Sequence, residues 1–176
     1  MKTTLSLILV TAVSVMTLGC TGTQSTQTVD NDSAPVVDMS GYLLTEEPDG
    51  AQEVMAVRES AEDDEEVVVV GRIGGSSNPW IDGRAAFSIV DPSLKACSDI
   101  PGDGCKTPWD YCCETDKLPS ATALVKVVDE NGEVVKADPK KSLKLDELQT
   151  VVVRGKAKRD GEGNLTVLAD SLYVRK

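Results

Sequence analysis

The sequence predicts a mainly β domain: a small five-stranded Greek-key barrel with a short helix between its third and fourth strands, preceded by one N-terminal helix. Three observations carry that expectation. From Glu65 onward, strand-length runs rich in Val and Ile alternate with turn segments rich in Gly, Asn, Asp and Pro. Five such runs fit within residues 65–176, the size of one domain. Between the third and fourth run stands a helix-start signal, Asp138-Pro139, followed by Leu143, Leu145 and Leu148.

The chain opens on a segment that does not belong to the fold. Lys2 supplies a positive start, residues 5–15 are mostly apolar, and Gly19 precedes Cys20, which reads as a secretory signal over residues 1–19. Residues 20–64 then hold eleven acids against one base, Arg58, whereas residues 65–176 are close to neutral. The net charge of −11 is therefore concentrated in the arm. Residues 20–40, rich in Thr, Ser, Gln and Asp, have little to bury and are expected to form a disordered acidic tether. Residues 41–64 form a helical extension, because Tyr42, Leu43, Leu44, Val54, Met55 and Val57 are too apolar for a tether. Pro48 and the acids beside it suit a first helical turn, so a helix over residues 49–59 is expected, with Val54 and Val57 on one side.

The strands follow in order. Residues 66–73 read E-V-V-V-V-G-R-I, a nearly continuous apolar run that implies burial on both faces. Gly74-Gly75, Asn78-Pro79 and Asp82-Gly83 then turn the chain. Residues 85–90 place Ala85, Phe87 and Ile89 on one face, and Asp91-Pro92 ends the strand. Residues 121–128 alternate Ala123, Val125 and Val127 against Thr122, Leu124 and Lys126, and Asn131-Gly132 marks a hairpin. Residues 150–158 and 165–174 are the last two strands, joined by the turn Asp160-Gly-Glu-Gly163.

This order resembles the OB-fold, and the residues that carry the resemblance are 67–73, 86–91, 150–155 and 165–173. The segment ending in Gly19-Cys20 resembles the lipobox of bacterial lipoproteins, with Leu18 two residues and Thr17 three residues before the cysteine. That resemblance implies diacylation of Cys20, export, and attachment to a membrane of the cell envelope through the lipid. Thr21 in place of aspartate implies the periplasmic side of the outer membrane. The whole layout is similar to exported bacterial lipoproteins that carry an OB-like domain, a likeness that implies fold and location but no chemistry.

Between the second and third strands lies a cysteine-rich loop, residues 93–117. Cys97, Cys105, Cys112 and Cys113 follow the spacing C-x7-C-x6-C-C. Outside the cytoplasm an even set of cysteines is expected to form disulfides. A bond between the adjacent Cys112 and Cys113 is strained, which leaves Cys97–Cys112 with Cys105–Cys113, or Cys97–Cys113 with Cys105–Cys112. The alternative is a metal centre: four thiolates suit Zn2+ or an iron–sulfur cluster, although paired cysteine ligands usually have residues between them and Cys112-Cys113 has none, and Asp99, Asp103, Asp110 and Glu114 add oxygen ligands for a harder ion. Trp80, Trp109 and Tyr111 are expected to form a binding surface for a protein or small ligand where two loops meet at one rim.

The composition also excludes function classes. The chain has no histidine, so His-based acid–base pairs and mixed His/Cys metal sites are ruled out. No nucleophile elbow or phosphate loop is present, and no catalysis is expected. With one Phe in the chain and a slightly acidic domain, nucleic acid is not expected as a partner; Arg154, Lys156 and Lys158 read as a solvated strand face. The sequence reading is thus a membrane-tethered, non-catalytic binding or envelope-associated module.

Overall fold

A computed structural model describes residues 37–176, which fall within one compact unit, Ala34–Lys176. The signal segment, Cys20 and most of the tether lie outside the described residues. Among the described residues no helix is long and apolar enough to cross a membrane.

The elements run β1 (Gln52–Glu53), α1 (Val54–Ser60), β2 (Glu66–Ile73), β3 (Ala86–Val90), α2 (Leu118–Ala121), β4 (Thr122–Val127), α3 (Pro139–Ser142), β5 (Thr150–Arg159) and β6 (Leu165–Val174). They make a six-stranded mixed sheet in the order β1-β2-β3-β4-β6-β5. β2 also pairs with β5, from Glu66↔Lys156 to Arg72↔Thr150, so the pairings return to their starting strand. The β4–β6 pair is parallel; its neighbours β3–β4 and β5–β6 are antiparallel.

Five of these strands lie where the β-branched runs place them. The expected five becomes six because Gln52–Glu53 pairs in parallel with Val69 and Val70. Two exposed polar residues carry no periodicity from which such a strand could be read. The pairing also shortens the first helix, expected over 49–59 and found at Val54–Ser60. Val54 and Val57 are both buried, on the face expected.

The helix between β4 and β5 is a single turn. Asp138 caps it, accepting a hydrogen bond from Lys140 N at 3.0 Å, but Lys144 and Leu148 adopt positive φ and end any continuation. Leu143 and Leu145 are buried all the same, through an irregular path.

One face of each strand from β2 to β6 fills the main core: Val69, Ile73, Phe87, Ile89, Val125, Val127, Val151, Val153, Val167 and Leu172 are fully buried. A second, smaller cluster of Val90, Leu94, Ala96, Tyr111 and Ala121 lies under the cysteine loop. The loop therefore has its own apolar anchor.

Candidate functional site

The cysteine loop is built onto β2 and the turn after it. Cys97–Asp99 form a 3-10 turn, and Cys97 N and Ser98 N donate to Asp110 O and Pro108 O at 2.8 and 3.0 Å. These bonds fold the loop back on itself. Asp99 accepts from Ala96 N and from the Arg72 guanidinium, whose Nε donates to Leu148 O at 3.1 Å. That ion pair holds Asp99 below the usual carboxylate range, the Arg72 hydrogen bond being the chief cause.

The turn after β2 meets the loop from the other side. Gly75 N donates to Trp109 O at 3.3 Å, and Trp109 Nε1 to Ser77 O at 3.1 Å. Gly74 is required at this contact: a Cβ there would stand 2.6 Å from Trp109 O. The two loops expected near one rim do meet.

The three aromatics do not share one exposed surface, which corrects the expectation for Tyr111. Its side chain is fully buried in the smaller cluster, and burial raises its pKa to about 12. Its hydroxyl and that of Thr122 are buried without a hydrogen-bond partner. Trp80 packs on Phe87 with ring centroids 5.7 Å apart and donates from Nε1 to Glu147 Oε1 at 2.7 Å. Lys140 completes that group, 5.3 Å from the Trp80 ring centroid and 2.7 Å from Glu147 Oε1.

This trio makes a pH-sensitive contact. Partial burial pushes the Glu147 carboxyl up, but the hydrogen bonds from Lys140 and Trp80 outweigh it and hold the group below its ordinary value. With the folded value below the unfolded one, the contribution is complete above the unfolded pKa of ~4.3 and is lost as pH falls through the folded value. In a Trp109→Phe chain, Trp80 emission is expected to shift on acidification below that range, and Glu147→Gln to remove the step. An unchanged step in the Gln variant would assign the titration elsewhere.

The four thiols occupy the outer part of the loop. None is disulfide-bonded. Cys97 Sγ stands 3.3 Å from Cys112 Sγ, whereas a disulfide requires ~2.05 Å. No disulfide of the expected pair lies at bonding distance among the described residues. Cys97, Cys105 and Cys112 converge instead, their sulfurs all within 4.8 Å of one another. Cys97 is buried, Cys105 half-buried, and Cys112 exposed. Asp103, Cys112 and Cys113 form a second set within the same limit. Asp103, Cys112 and Cys113 could be named from the sequence as donors, but their grouping could not, because it depends on how the loop folds back.

The electrostatics follow from that crowding. Burial, then the contact with Cys112, pushes the Cys97 thiol up to about 12. Hydrogen bonds with Thr107 hold Cys105 below its ordinary value. At Cys112 the Cys97 contact favours the thiolate, but the neighbouring Cys113 and burial outweigh it, and the group lies above its ordinary value. Thiols packed this closely resist ionising together, a repulsion that a bound cation reverses.

The basic row on β5 is largely paired. Arg154 meets Asp170 at 3.1 Å, and Lys158 meets Asp63 and Asp64 at 3.1 and 2.7 Å.

No family model matches the chain, and no curated protein matches it. Among solved structures, the chain is similar to the mitochondrial single-stranded DNA-binding protein Rim1 from S. cerevisiae. The likeness has a TM-score of 0.35 and 16% identity, and covers 65% of this chain and 98% of that one. The expectation that nucleic acid is not a partner is withdrawn on this finding, since a single-stranded DNA-binding protein stands among the similar structures. At that TM-score the likeness carries no argument about what this chain binds.

Proposed function

We propose that the chain is a non-catalytic metal-binding domain in which Cys97, Cys105 and Cys112 hold a thiophilic ion, Zn2+ being the ion that fits. The observation that carries this is the convergence of three sulfurs rather than their division into pairs. Tetrahedral zinc at ~2.3 Å from each sulfur spaces its sulfurs ~3.8 Å apart, between the 3.3 Å of Cys97–Cys112 and the 4.8 Å limit of the trio. A Cys97–Cys112 disulfide would leave Cys105 to pair with Cys113, which belongs to the other group. The same separation disfavours an iron–sulfur cluster, which calls for four cysteines around one centre.

The ring of strand pairings supports a scaffold of the OB-like kind, a five-stranded Greek-key barrel β2-β3-β4-β6-β5 to which β1 is a two-residue addition. The absence of histidine from the sequence supports a non-catalytic role. We place the protein in the cell envelope, exported and held through lipid on Cys20; the lipobox-like segment ending in Gly19-Cys20 supports that location.

Intact mass under native and denaturing conditions, with metal analysis, tests the centre. Zinc is expected to accompany the natively purified chain, with Cys97, Cys105 and Cys112 becoming open to alkylation only after chelation and the exposed Cys113 open throughout. Replacing Cys97, Cys105 or Cys112 by Ser is expected to weaken zinc binding at least ~100-fold, more than loss of an outer-shell partner usually costs. A chain without metal that has lost four protons, the signature of two disulfides, would overturn the reading.

A further inference from the structure

The donors of the loop sort into two groups that share one member. Cys97, Cys105 and Cys112 form the inner group; Asp103, Cys112 and Cys113, all exposed, form the outer one. Resting on the thiolate reading above, we propose that the loop holds two zinc ions, the outer one at Asp103, Cys112 and Cys113, with the Cys112 sulfur bridging the pair.

Charge balance accommodates two ions as well as one. With both sites filled, four thiolates and a carboxylate bring five negative charges against four positive and leave one; with the inner site alone, three thiolates against one Zn2+ also leave one, Cys113 keeping its proton. Of the neighbouring cations, Arg72 is held by Asp99 and Lys117 by Glu114 at 2.7 Å, while Lys95 and Lys106 form no ion pair among the described residues. Bridging needs no unusual chemistry, because a thiolate sulfur bound to one metal keeps lone pairs for a second.

Asp103 is preset for the outer position. Its N–H donates to Ile100 O at 3.2 Å, and its Oδ1 accepts from Cys105 N at 2.7 Å. That bond fixes the carboxylate on the backbone of an inner ligand and leaves Oδ2 for the metal. Two sulfurs and one oxygen suit borderline-soft zinc. With three protein donors apiece, each ion keeps a fourth position for water or another ligand. Loading is balanced by protons: two Zn2+ enter, and each of the four thiols releases one H+ to solvent. Burial grades the two sites, since the inner group contains buried Cys97 and the outer group is exposed throughout. The outer ion is thus the exchangeable one.

The test uses the full chain carrying Cys20→Ser, which removes the one thiol outside the loop, kept reduced and titrated with Zn2+ under native mass spectrometry. Two zinc ions per chain are expected, the second binding more weakly. Cys113→Ser and Asp103→Asn are each expected to leave one ion with its affinity unchanged, while Cys112→Ser weakens both. With Co2+ as the probe, the paramagnetic signal of the first equivalent is expected to fall when the second enters, as coupling through one sulfur requires. Saturation at one zinc, unaffected by Cys113→Ser, would overturn the outer site and leave the single-ion reading standing. Two cobalt ions whose signals simply add would remove the bridge. No zinc at any concentration would defeat both readings.

Discussion

Gly155→Ala is expected to abolish or nearly abolish folding. Gly155 sits at the register irregularity of the β5–β6 pair, where Arg154 faces Ser171 and Gly155 faces Ala169. A Cβ there would stand 2.1 Å from Leu168 O and 2.8 Å from Ala169 Cα. Both obstacles are backbone, so no rotamer change relieves them. Relief requires β5 and β6 to separate, while β5 also pairs with β2 over seven positions and β6 with β4 over five. Overpacking usually costs ~1–3 kcal/mol; a collision with strand backbone is expected to exceed that range, a large part of the ~5–15 kcal/mol that holds a domain together. Gly161, with nothing within 4 Å of its Cβ position, is the control, and its Ala variant is expected within ~0.5 kcal/mol of the parent. Urea unfolding of the two variants measures the contrast, and equal midpoints would refute it.

Asp91→Ala is expected to cost ~3 kcal/mol, roughly 10 °C in Tm for a domain of this size. Asp91 is fully buried at the end of β3. Its Oδ2 accepts from Met55 N at 2.8 Å, and its Oδ1 from Ser93 N and Ser93 Oγ at 3.0 and 2.6 Å. Met55 is the second residue of α1, whose own N-cap, Glu53, makes no side-chain cap bond. A carboxylate from a strand end thus caps a helix 36 residues away. At the other end of α1, Arg159 donates to the carbonyls of Ala61, Val57 and Arg58. A seven-residue helix has little stability alone, so these two clamps and the burial of Val54 and Val57 hold it. Asp91→Asn, which keeps an acceptor oxygen, is expected to lose about half as much. Thermal melts check both, and an Ala variant as stable as the parent would show that α1 docks without the cap.

Much of this architecture is legible residue by residue. Residues 66–73 are so uniformly β-branched that both limits of β2 can be read from them, and the Asp160–Gly163 turn sets where β5 ends and β6 begins. Asp138-Pro139 marks the start of α3 correctly but not its end, because buried leucines at 143 and 145 suit either a helix or an irregular turn. Asp91 reads as a strand terminator; nothing local announces that its carboxylate reaches Met55.

The sequence by itself determined five of the six strands, the alternating faces of β3 and β4, the turns between the strands and the set of donors in the cysteine loop. These follow from local conformational preference, alternation and residue chemistry. Tertiary structure alone decided that β1 exists, that Tyr111 anchors the loop from beneath, and that three of the four thiols converge while Cys113 turns to Asp103. The reason is physical: a cysteine's partner is set by the path of the backbone between donors, and here that path is imposed by Arg72, Gly74 and Gly75, residues of β2 and its turn that lie far from the loop in sequence.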